Sequence, residues 1–294
     1  MTHMMIGLTL ITWGIAGIFD KKAVQSSSAK SVFVVFHAFG ILVTLLLLAA
    51  LPFIYADWRL SPGVFFWEGL NAAAAMVAIL TYFYAMSKAQ ASWVLGITAG
   101  YPIVGQLLST PLTGEPFSLS AIAAASLVSL GVALIGSSAT QEQKGLSRKD
   151  KLLLVGAVIL STVLWGLLGI FEKRSLEFAR PFEAYFVLSL WKSLFLAVVY
   201  CLFRRQGQSL ILNRAATWKF GWLSAFCVAA GNIGFILALT TSPAGYLIVM
   251  TAAYPLVMYV FALLFLKEKL NLARAAGIVL IVFGAVVAEV ARGL

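Results

Sequence analysis

Long apolar runs separated by short polar segments dominate the chain. A helix needs about 20 apolar residues, each rising 1.5 Å, to cross the hydrocarbon core of a bilayer. The runs reach this length again and again, and the polar segments between them leave little room for a soluble domain. The pattern predicts ten transmembrane helices, at residues 4–22, 31–54, 64–87, 93–112, 118–138, 152–173, 183–203, 218–241, 245–266 and 271–291.

The two halves of the sequence repeat one another. The matched positions recur at a spacing of 152 residues from Trp13 to Trp165 and of 153 from Tyr101 to Tyr254. Such self-similarity indicates duplication of a structural unit. We predict a first five-helix repeat at 1–140, a polar linker at 141–151 and a second repeat at 152–294. The further matches are Gly14/Gly166, Gly17/Gly169, Phe19/Phe171, Lys21/Lys173, Pro102/Pro255, Glu115/Glu268 and Gly131/Gly284.

An odd number of spans in each half has a geometric consequence. The second half enters the membrane from the opposite side, which gives an inverted repeat. In secondary transporters this arrangement encloses a substrate site near the midplane, between the repeats. The sequence therefore predicts an all-α membrane protein of ten transmembrane helices, arranged as two inverted five-helix repeats around a central cavity.

Composition and charge agree with a membrane protein. Hydrophobic residues make up 62% of the chain, charged residues 11%, and the mean hydropathy is +0.97. The net charge of +10 does not indicate a nucleic-acid partner, because the basic residues lie at helix ends and in loops, where they meet lipid headgroups. Fifteen Lys and Arg residues fall in one set of loops and five in the other, which favours both termini outside. A bacterial cytoplasmic membrane is the expected location.

Several short motifs resemble those of a known family. The Trp-Gly…Lys element in the first helix of each half, the Tyr-Pro pairs, Gly114-Glu115-Pro116 and Lys267-Glu268-Lys269 resemble the EamA-type members of the drug/metabolite transporter superfamily. The resemblance covers nearly the whole chain. It implies ten helices, a central cavity and facilitated or proton-coupled movement of metabolites, with both termini in the cytoplasm, which is opposite to the charge count.

One departure from the superfamily narrows the function. Small multidrug resistance proteins carry a membrane-embedded glutamate eight residues before the first-helix lysine. The matching positions here, counted back from Lys21 and Lys173, are Trp13 and Trp165. A proton/cationic-drug exchanger of that type is therefore not expected.

Lys192 and His37 are ionisable residues inside predicted spans, and Lys192 lies near the centre of its span. A cation near the centre of a span costs about 2.5–3.5 kcal/mol on insertion scales, so it usually faces a cavity or a partner. We interpret Lys192 as a counter-charge for an anionic group; a structural lysine paired with an acid is the alternative. His37 lies on the repeat-equivalent helix and could exchange a proton during transport or hydrogen-bond within the helix packing.

Other candidates surround two mid-span prolines. Pro102 and Pro255 should kink their helices and act as hinges, and paired breaks in matching helices point to a transport site. Trp13 and Trp165 lie mid-span rather than at the membrane surface. For each of these residues, ordinary packing is the competing interpretation. The remaining predicted substrate-binding residues are Thr98, Tyr101, Gln106, Thr251, Tyr254, Tyr259, Asn71 and Asn232.

The favoured function is secondary transport of a small metabolite, such as an amino acid or organic anion, by alternating access with protons as a candidate coupling ion. An intramembrane enzyme acting on a lipid-linked substrate, and a channel or scaffold, are the alternatives. No His-acid spacing or paired intramembrane carboxylates are expected, so we predict no catalytic residues. No metal site or cofactor is expected either, and the transporter does not need to oligomerise.

Overall fold

The described residues of the first half fold into six helices. The computed structural model describes residues 1–89, 91–137, 147–207, 209–266 and 271–293. A serine caps two of the long helices: Ser28 accepts a hydrogen bond from the backbone N–H of Ser31, and Ser61 accepts one from that of Val64. Pro62 occupies the first turn of the second of these helices. The helices are α1 (Thr2–Ser26), α2 (Ala29–Ile54), α3 (Pro62–Lys88), α4 (Ala91–Thr98), α5 (Tyr101–Thr113) and α6 (Leu119–Ser137).

The second half repeats this order of long and short helices. Ser147 caps the first of them by accepting a hydrogen bond from the backbone N–H of Asp150. The helices are α7 (Arg148–Ser175), α8 (Pro181–Arg205), α9 (Ala215–Leu239), α10 (Ala244–Thr251), α11 (Tyr254–Leu266) and α12 (Leu272–Gly293). Each of the ten predicted segments coincides with one helix or with one pair of short helices, displaced by a few residues at most.

Eight segments of the described chain are long and apolar enough to cross a membrane. The α10–α11 segment counts among them, whereas α6 provides a shorter apolar stretch, Leu119–Ile135. The described residues thus form an all-helical, multi-pass membrane protein. The predicted linker falls mostly outside the described residues, as do Glu268 and its two flanking lysines.

The predicted spans 93–112 and 245–266 are each broken in the middle. α4 ends at Thr98 and α5 begins at Tyr101; α10 ends at Thr251 and α11 begins at Tyr254. Each proline follows its break and sits in the first turn of the second short helix, where the missing N–H costs nothing in the helix ladder. The structure therefore has an interruption where the prolines predicted a kink.

The first helix of each half packs against the third helix of the other half. Hydrogen bonds join Thr2 to Thr241 (2.8 Å) at one end of the α1–α9 pair and Ser26 to Thr217 (2.9 Å) at the other, so the two helices run antiparallel. In the α7–α3 pair, the Ser161 hydroxyl donates to the carbonyl of Ala78 (3.1 Å). The halves are thus interleaved rather than side by side.

Glycines allow the first helices to approach the broken helices closely. A Cβ on Gly14 would lie 2.9 Å from the carbonyl oxygen of Tyr254, and one on Gly166 would lie 2.8 Å from that of Tyr101. On the outer side, α6 and α12 cross at Gly131 and Gly277, where each glycine faces the other's carbonyl oxygen. A larger residue at any of these positions would separate the helices.

Lys21 and Lys173 close the ends of neighbouring helices. Lys21 Nζ donates to the carbonyls of Met86 (3.1 Å) and Ala89 (3.0 Å), at the end of α3. Lys173 Nζ donates in the same way at the end of α9, to Leu239 (2.8 Å) and Ser242 (3.0 Å). Terminal carbonyls lack partners within their own helix, and a cation there also interacts favourably with the helix dipole.

Glu115 caps a helix of the other half. Its place in the sequence, where a new helix begins, predicts that it complements the dipole of the helix that follows it in the chain. Its carboxylate instead accepts hydrogen bonds from the backbone N–H groups of Ala244 (2.5 Å) and Gly245 (3.1 Å), at the start of α10. The acid thus satisfies free donors at a helix N-terminus and binds the two halves together.

Candidate functional site

A central cavity of about 170 Å³ lies between the two halves. Side chains from α1, α2, α3 and α5 of the first half and from α7, α8, α9, α10 and α11 of the second half line it. Nine of the twelve predicted binding residues are on its wall, so the sequence pattern and the cavity largely coincide. They are Trp13, His37, Asn71, Tyr101, Trp165, Lys192, Asn232, Thr251 and Tyr254.

Three predicted binding residues do not reach this cavity. The Thr98 hydroxyl donates to the carbonyl of Val94 within its own helix (3.0 Å). Gln106 is buried against Gly245, and Tyr259 is buried in a hydrophobic cluster with Arg274 over its ring. The break turns the start of α5 and of α11 toward the cavity, whereas positions one turn or more beyond it face other helices.

Two aromatic groups related by the repeat form opposite walls of the cavity. The Trp13 ring centroid lies 5.6 Å from that of Phe235. Its counterpart, Trp165, lies 5.0 Å from Tyr82. Trp13 Nε1 is buried with no hydrogen-bond partner among the described residues, so it is available to a polar group in the cavity. The Tyr101 hydroxyl lies beside the side chain of Thr251, which also lines the cavity.

Lys192 lies on the cavity wall with two acids nearby. It makes no hydrogen bond or ion pair within 4 Å among the described residues, and its charge interacts at longer range with Glu172 and Glu68. Glu172 is 6% exposed, and its Oε1 atom has no hydrogen-bond partner. An unpaired lysine and a carboxylate oxygen without a partner thus share one end of the cavity.

Glu68 is the second acid near Lys192. It is fully buried; Asn71 Nδ2 donates to its Oε2 atom (2.9 Å), and the Ser175 hydroxyl hydrogen-bonds its Oε1 atom. The Ser175 hydroxyl also lies 2.8 Å from the carbonyl oxygen of Glu172. Ser175 therefore links the two glutamates, which are close enough to interact electrostatically.

Asp20 is the repeat counterpart of Glu172 and lies on the cavity wall contributed by α1. It is 7% exposed and accepts a hydrogen bond from the Ser224 hydroxyl (2.5 Å), with Tyr82 adjacent. At the repeat spacing of 153 residues, the position equivalent to Glu68 is Gly221 and the position equivalent to Lys192 is Phe39. The acid and the lysine that lack counterparts are therefore at the same end, which makes the cavity electrically asymmetric.

The expectation that the membrane holds no paired carboxylates is wrong. Asp20, Glu68 and Glu172 all lie within helices that are candidate membrane spans, and Glu68 and Glu172 are close enough to interact electrostatically. The signal was present in the sequence, because Glu68 falls inside the predicted span 64–87 and buried acids in spans are usually functional. Asp20 and Glu172 directly precede Lys21 and Lys173 in the repeated Trp-Gly…Lys element.

His37 contributes an imidazole at the boundary of the cavity. Its Nδ1 atom lies 2.9 Å from the carbonyl oxygen of Phe33, which can only accept, so Nδ1 carries the hydrogen. Nε2 then remains as the acceptor. The ring packs between Phe33 and Phe36, at centroid distances of 4.3 and 5.1 Å. This packing fixes the ring, and the charge of Lys192 acts on it from nearby.

A polar network outside the membrane ties α8 to the loop after α2. Arg180 pairs with Glu183 (2.8 Å) and Asp57 (3.0 Å), and its guanidinium lies 3.9 Å from the ring centroid of Tyr55. The hydrogen bond and charge of Arg180 lower the pKa of Asp57. This network holds the end of the cavity-lining helix α8 in place.

The fold and the cavity together define a class of protein: a multi-pass helical membrane protein with a polar chamber between its halves. The sequence matches the EamA-like transporter family over residues 1–137 and again over residues 152–289. The chain belongs to this family, which is part of the drug/metabolite transporter superfamily.

The chain is also similar to one curated protein in sequence and to one solved structure in fold. An "uncharacterized transporter" of Archaeoglobus fulgidus is 24% identical over 295 residues, which cover 96% of each chain. A solved structure, titled only "Crystal structure of protein", superposes with a TM-score of 0.75 at 16% identity and covers 99% of this chain and 97% of its own. Membership of the EamA-like transporter family supports a membrane transporter.

Proposed function

We propose that the chain is a secondary transporter that moves a small anionic or zwitterionic metabolite by alternating access. The observation that carries the proposal is the presence of Lys192 and Glu172 on the same cavity wall, each with a polar atom that forms no hydrogen bond with another described residue. A buried charge is stable when a partner of opposite sign is present. A carboxylate or phosphate at Lys192, and an ammonium group at Glu172, would supply such partners.

The interleaved packing supports an inverted repeat. α1 runs antiparallel to α9, and α9 runs parallel to α7 if α7, α8 and α9 cross the membrane in turn. The equivalent helices α1 and α7 would then point in opposite directions. Two inverted halves can exchange conformations, which lets one cavity open to either side of the membrane in turn.

The buried acids support protons as the coupling ion. Glu68 and Glu172 interact with each other and with Lys192, so a proton gained or lost by one of them changes the charge that the substrate meets. His37 lies beside the same lysine. We place the coupling at this end of the cavity because the other end carries one acid, Asp20, with a hydroxyl partner.

The proposed location is the cytoplasmic membrane of a bacterium. Helical bundles are typical of such membranes, whereas outer-membrane proteins that span the bilayer form closed barrels. The asymmetry of Lys and Arg between the two sets of loops supports a defined orientation there.

Uptake into reconstituted liposomes tests the proposal. The purified protein is offered a panel of labelled amino acids, organic acids and phosphorylated metabolites, with and without a pH gradient. Lys192→Ala should lower uptake of the anionic and zwitterionic substrates by at least about tenfold, since it removes one partner of a desolvated charge pair. Lys219→Ala, which removes an exposed lysine, serves as the matched control. Wild-type rates in Lys192→Ala would contradict the site assignment, and no uptake of any compound by the wild type would contradict the function.

A further inference from the structure

A second, smaller cavity of about 50 Å³ adjoins the central one, between α2, α8 and α9. The two cavities share five wall residues: Phe36, His37, Lys192, Val228 and Asn232. Because Lys192 borders both, a molecule bound to it from the central cavity can also reach the smaller space. We call the smaller space the side pocket.

The side pocket is mainly apolar beyond its junction with the central cavity. Phe39, Gly40 and Val43 of α2 form one wall, and Ala225 and Ala229 of α9 form another. Tyr185 and Ser189 of α8 also border the pocket, and the Tyr185 hydroxyl donates to the carbonyl of Ala229 (3.4 Å). Lys192 and His37 lie at the junction of the two cavities. The pocket thus presents a cation at its mouth and mostly carbon atoms inside.

The size of the side pocket limits what it can hold. A water molecule needs roughly 10–15 Å³ of cavity measured in this way, so the pocket has room for about three to five groups of that size. This matches a short aliphatic chain better than a ring or a second charged group. A charged group would also lose its hydration there without gaining a partner.

We propose that the side pocket receives the apolar group of the transported molecule while Lys192 binds its anionic group. This inference rests on the proposed transport function and defines the substrate class further: a carboxylate with a short aliphatic side chain. The walls contributed by α2 and α9 then select substrates by chain length. Gly40 and Val43 are the residues that set this limit.

Gly40 offers a way to fill the pocket without disturbing the fold. A Cβ added at Gly40 would meet no atom within 4 Å, so a larger side chain has space. Leucine also favours a helix more than glycine does. Gly156 is the matched control, because it too has nothing within 4 Å of a Cβ but borders neither cavity. The reciprocal change, Val43→Ala, should enlarge the pocket.

Uptake of unbranched α-amino acids from glycine to norleucine tests the inference in liposomes. These zwitterions cross lipid poorly on their own and differ only in chain length. Gly40→Leu should leave uptake of glycine and alanine within about twofold of wild type, and should lower uptake of norvaline and norleucine by about tenfold or more, the usual effect of excluding a methylene group. Val43→Ala should shift the preference toward norleucine, and Gly156→Leu should match wild type.

The outcomes separate this inference from the general function. If the wild type transports the series and Gly40→Leu and Val43→Ala keep its chain-length profile, the side pocket does not select substrates and the inference is wrong. If the wild type transports none of the series but carries other compounds of the broader panel, the proposed substrate class is wrong while the transport function stands. If no compound is carried at all, the transport function fails.

Discussion

The indole ring of Trp13 meets the ring of Tyr254 edge-on, with centroids 6.2 Å apart and planes at 90°. The repeat-related rings of Trp165 and Tyr101 lie 6.4 Å apart at 87°. Each tyrosine is the first residue after a helix break. The first helix of each half thus contacts the helix break of the other half through one pair of aromatic rings. The same rings form part of the cavity wall.

This contact predicts a graded effect of substitutions at Trp165. Trp165→Ala should lower the free energy of unfolding by about 3 kcal/mol, because it removes a large side chain that packs on Tyr82 and Tyr101. Trp165→Phe keeps an aromatic ring and should cost less than half as much. Denaturant titration in detergent micelles measures both changes. Equal effects of the two variants would show that ring packing is not what the site requires.

Glu172→Gln should separate proton coupling from substrate movement. Glutamine keeps the shape of the side chain but cannot bind and release a proton, so uptake driven by a pH gradient should fall to background. Exchange of labelled for unlabelled substrate at equal pH should persist for an anionic substrate that has no ammonium group, because such a substrate does not need Glu172 as a binding partner. Glu177→Gln, which alters an exposed acid five residues away, is the control. Loss of exchange together with gradient-driven uptake would indicate a structural role for Glu172.

The Arg180 network should not contribute to the pH dependence of substrate uptake. Arg180 lowers the pKa of Asp57, so this carboxylate stays charged at and above the pH at which it ionises in the unfolded chain. Its stabilising effect is lost only as the pH falls through the lowered pKa, below the usual range for aspartate. Asp57→Asn should therefore leave the uptake profile unchanged between about pH 5 and pH 8. A shifted profile would implicate the network in gating.

Lys21→Met should destabilise the protein without abolishing substrate specificity. The substitution leaves the carbonyls of Met86 and Ala89 without their shared donor, at a cost of about 1–3 kcal/mol. Lys22→Met is the control, because Lys22 is exposed and lies over the ring of Phe220. Thermal unfolding of the purified Lys21→Met and Lys22→Met variants compares their stability. Equal melting temperatures would show that Lys21 does not stabilise the end of α3.

Gly131→Val should weaken the packing of α6 on α12. A Cβ at Gly131 would lie 2.6 Å from the carbonyl oxygen of Gly277, too close for the backbones to keep their positions. Overpacking of this kind costs about 1–3 kcal/mol. Gly7→Val, where nothing lies within 4 Å, should be nearly neutral in the same thermal-unfolding assay. A stable Gly131→Val protein would mean that α12 can shift outward freely.

The sequence predicted the helices well because bilayer-spanning segments are defined by local hydrophobicity. It also predicted Lys192 and both tryptophans on the cavity wall. A mid-span lysine is costly in contact with lipid, and tryptophans of membrane helices otherwise lie mostly at the membrane surface. It did not predict that Thr251 faces the cavity while its counterpart Thr98 does not. That difference depends on how each short helix rotates at its break, which follows from contacts across the whole bundle rather than from residue spacing.

The buried acids were missed for another reason. Asp20 and Glu172 stand next to Lys21 and Lys173 in the sequence, which suggests neighbouring charges near a membrane surface. In the structure the lysines turn away to the ends of α3 and α9, and the acids face the cavity. Adjacent residues on a helix point in directions about 100° apart, so sequence neighbours need not share a charge partner.

The crossing of α1 onto α9, and of α7 onto α3, bears on how such a chain arose. An isolated half would lack the surface that covers its own first helix, and Gly166 would face lipid instead of Tyr101. In the proposed inverted arrangement, a half-length unit would close its chamber by pairing with a second copy of opposite orientation. Glu68 and Lys192, which match Gly221 and Phe39 in the other half, are positions at which the two halves differ in charge.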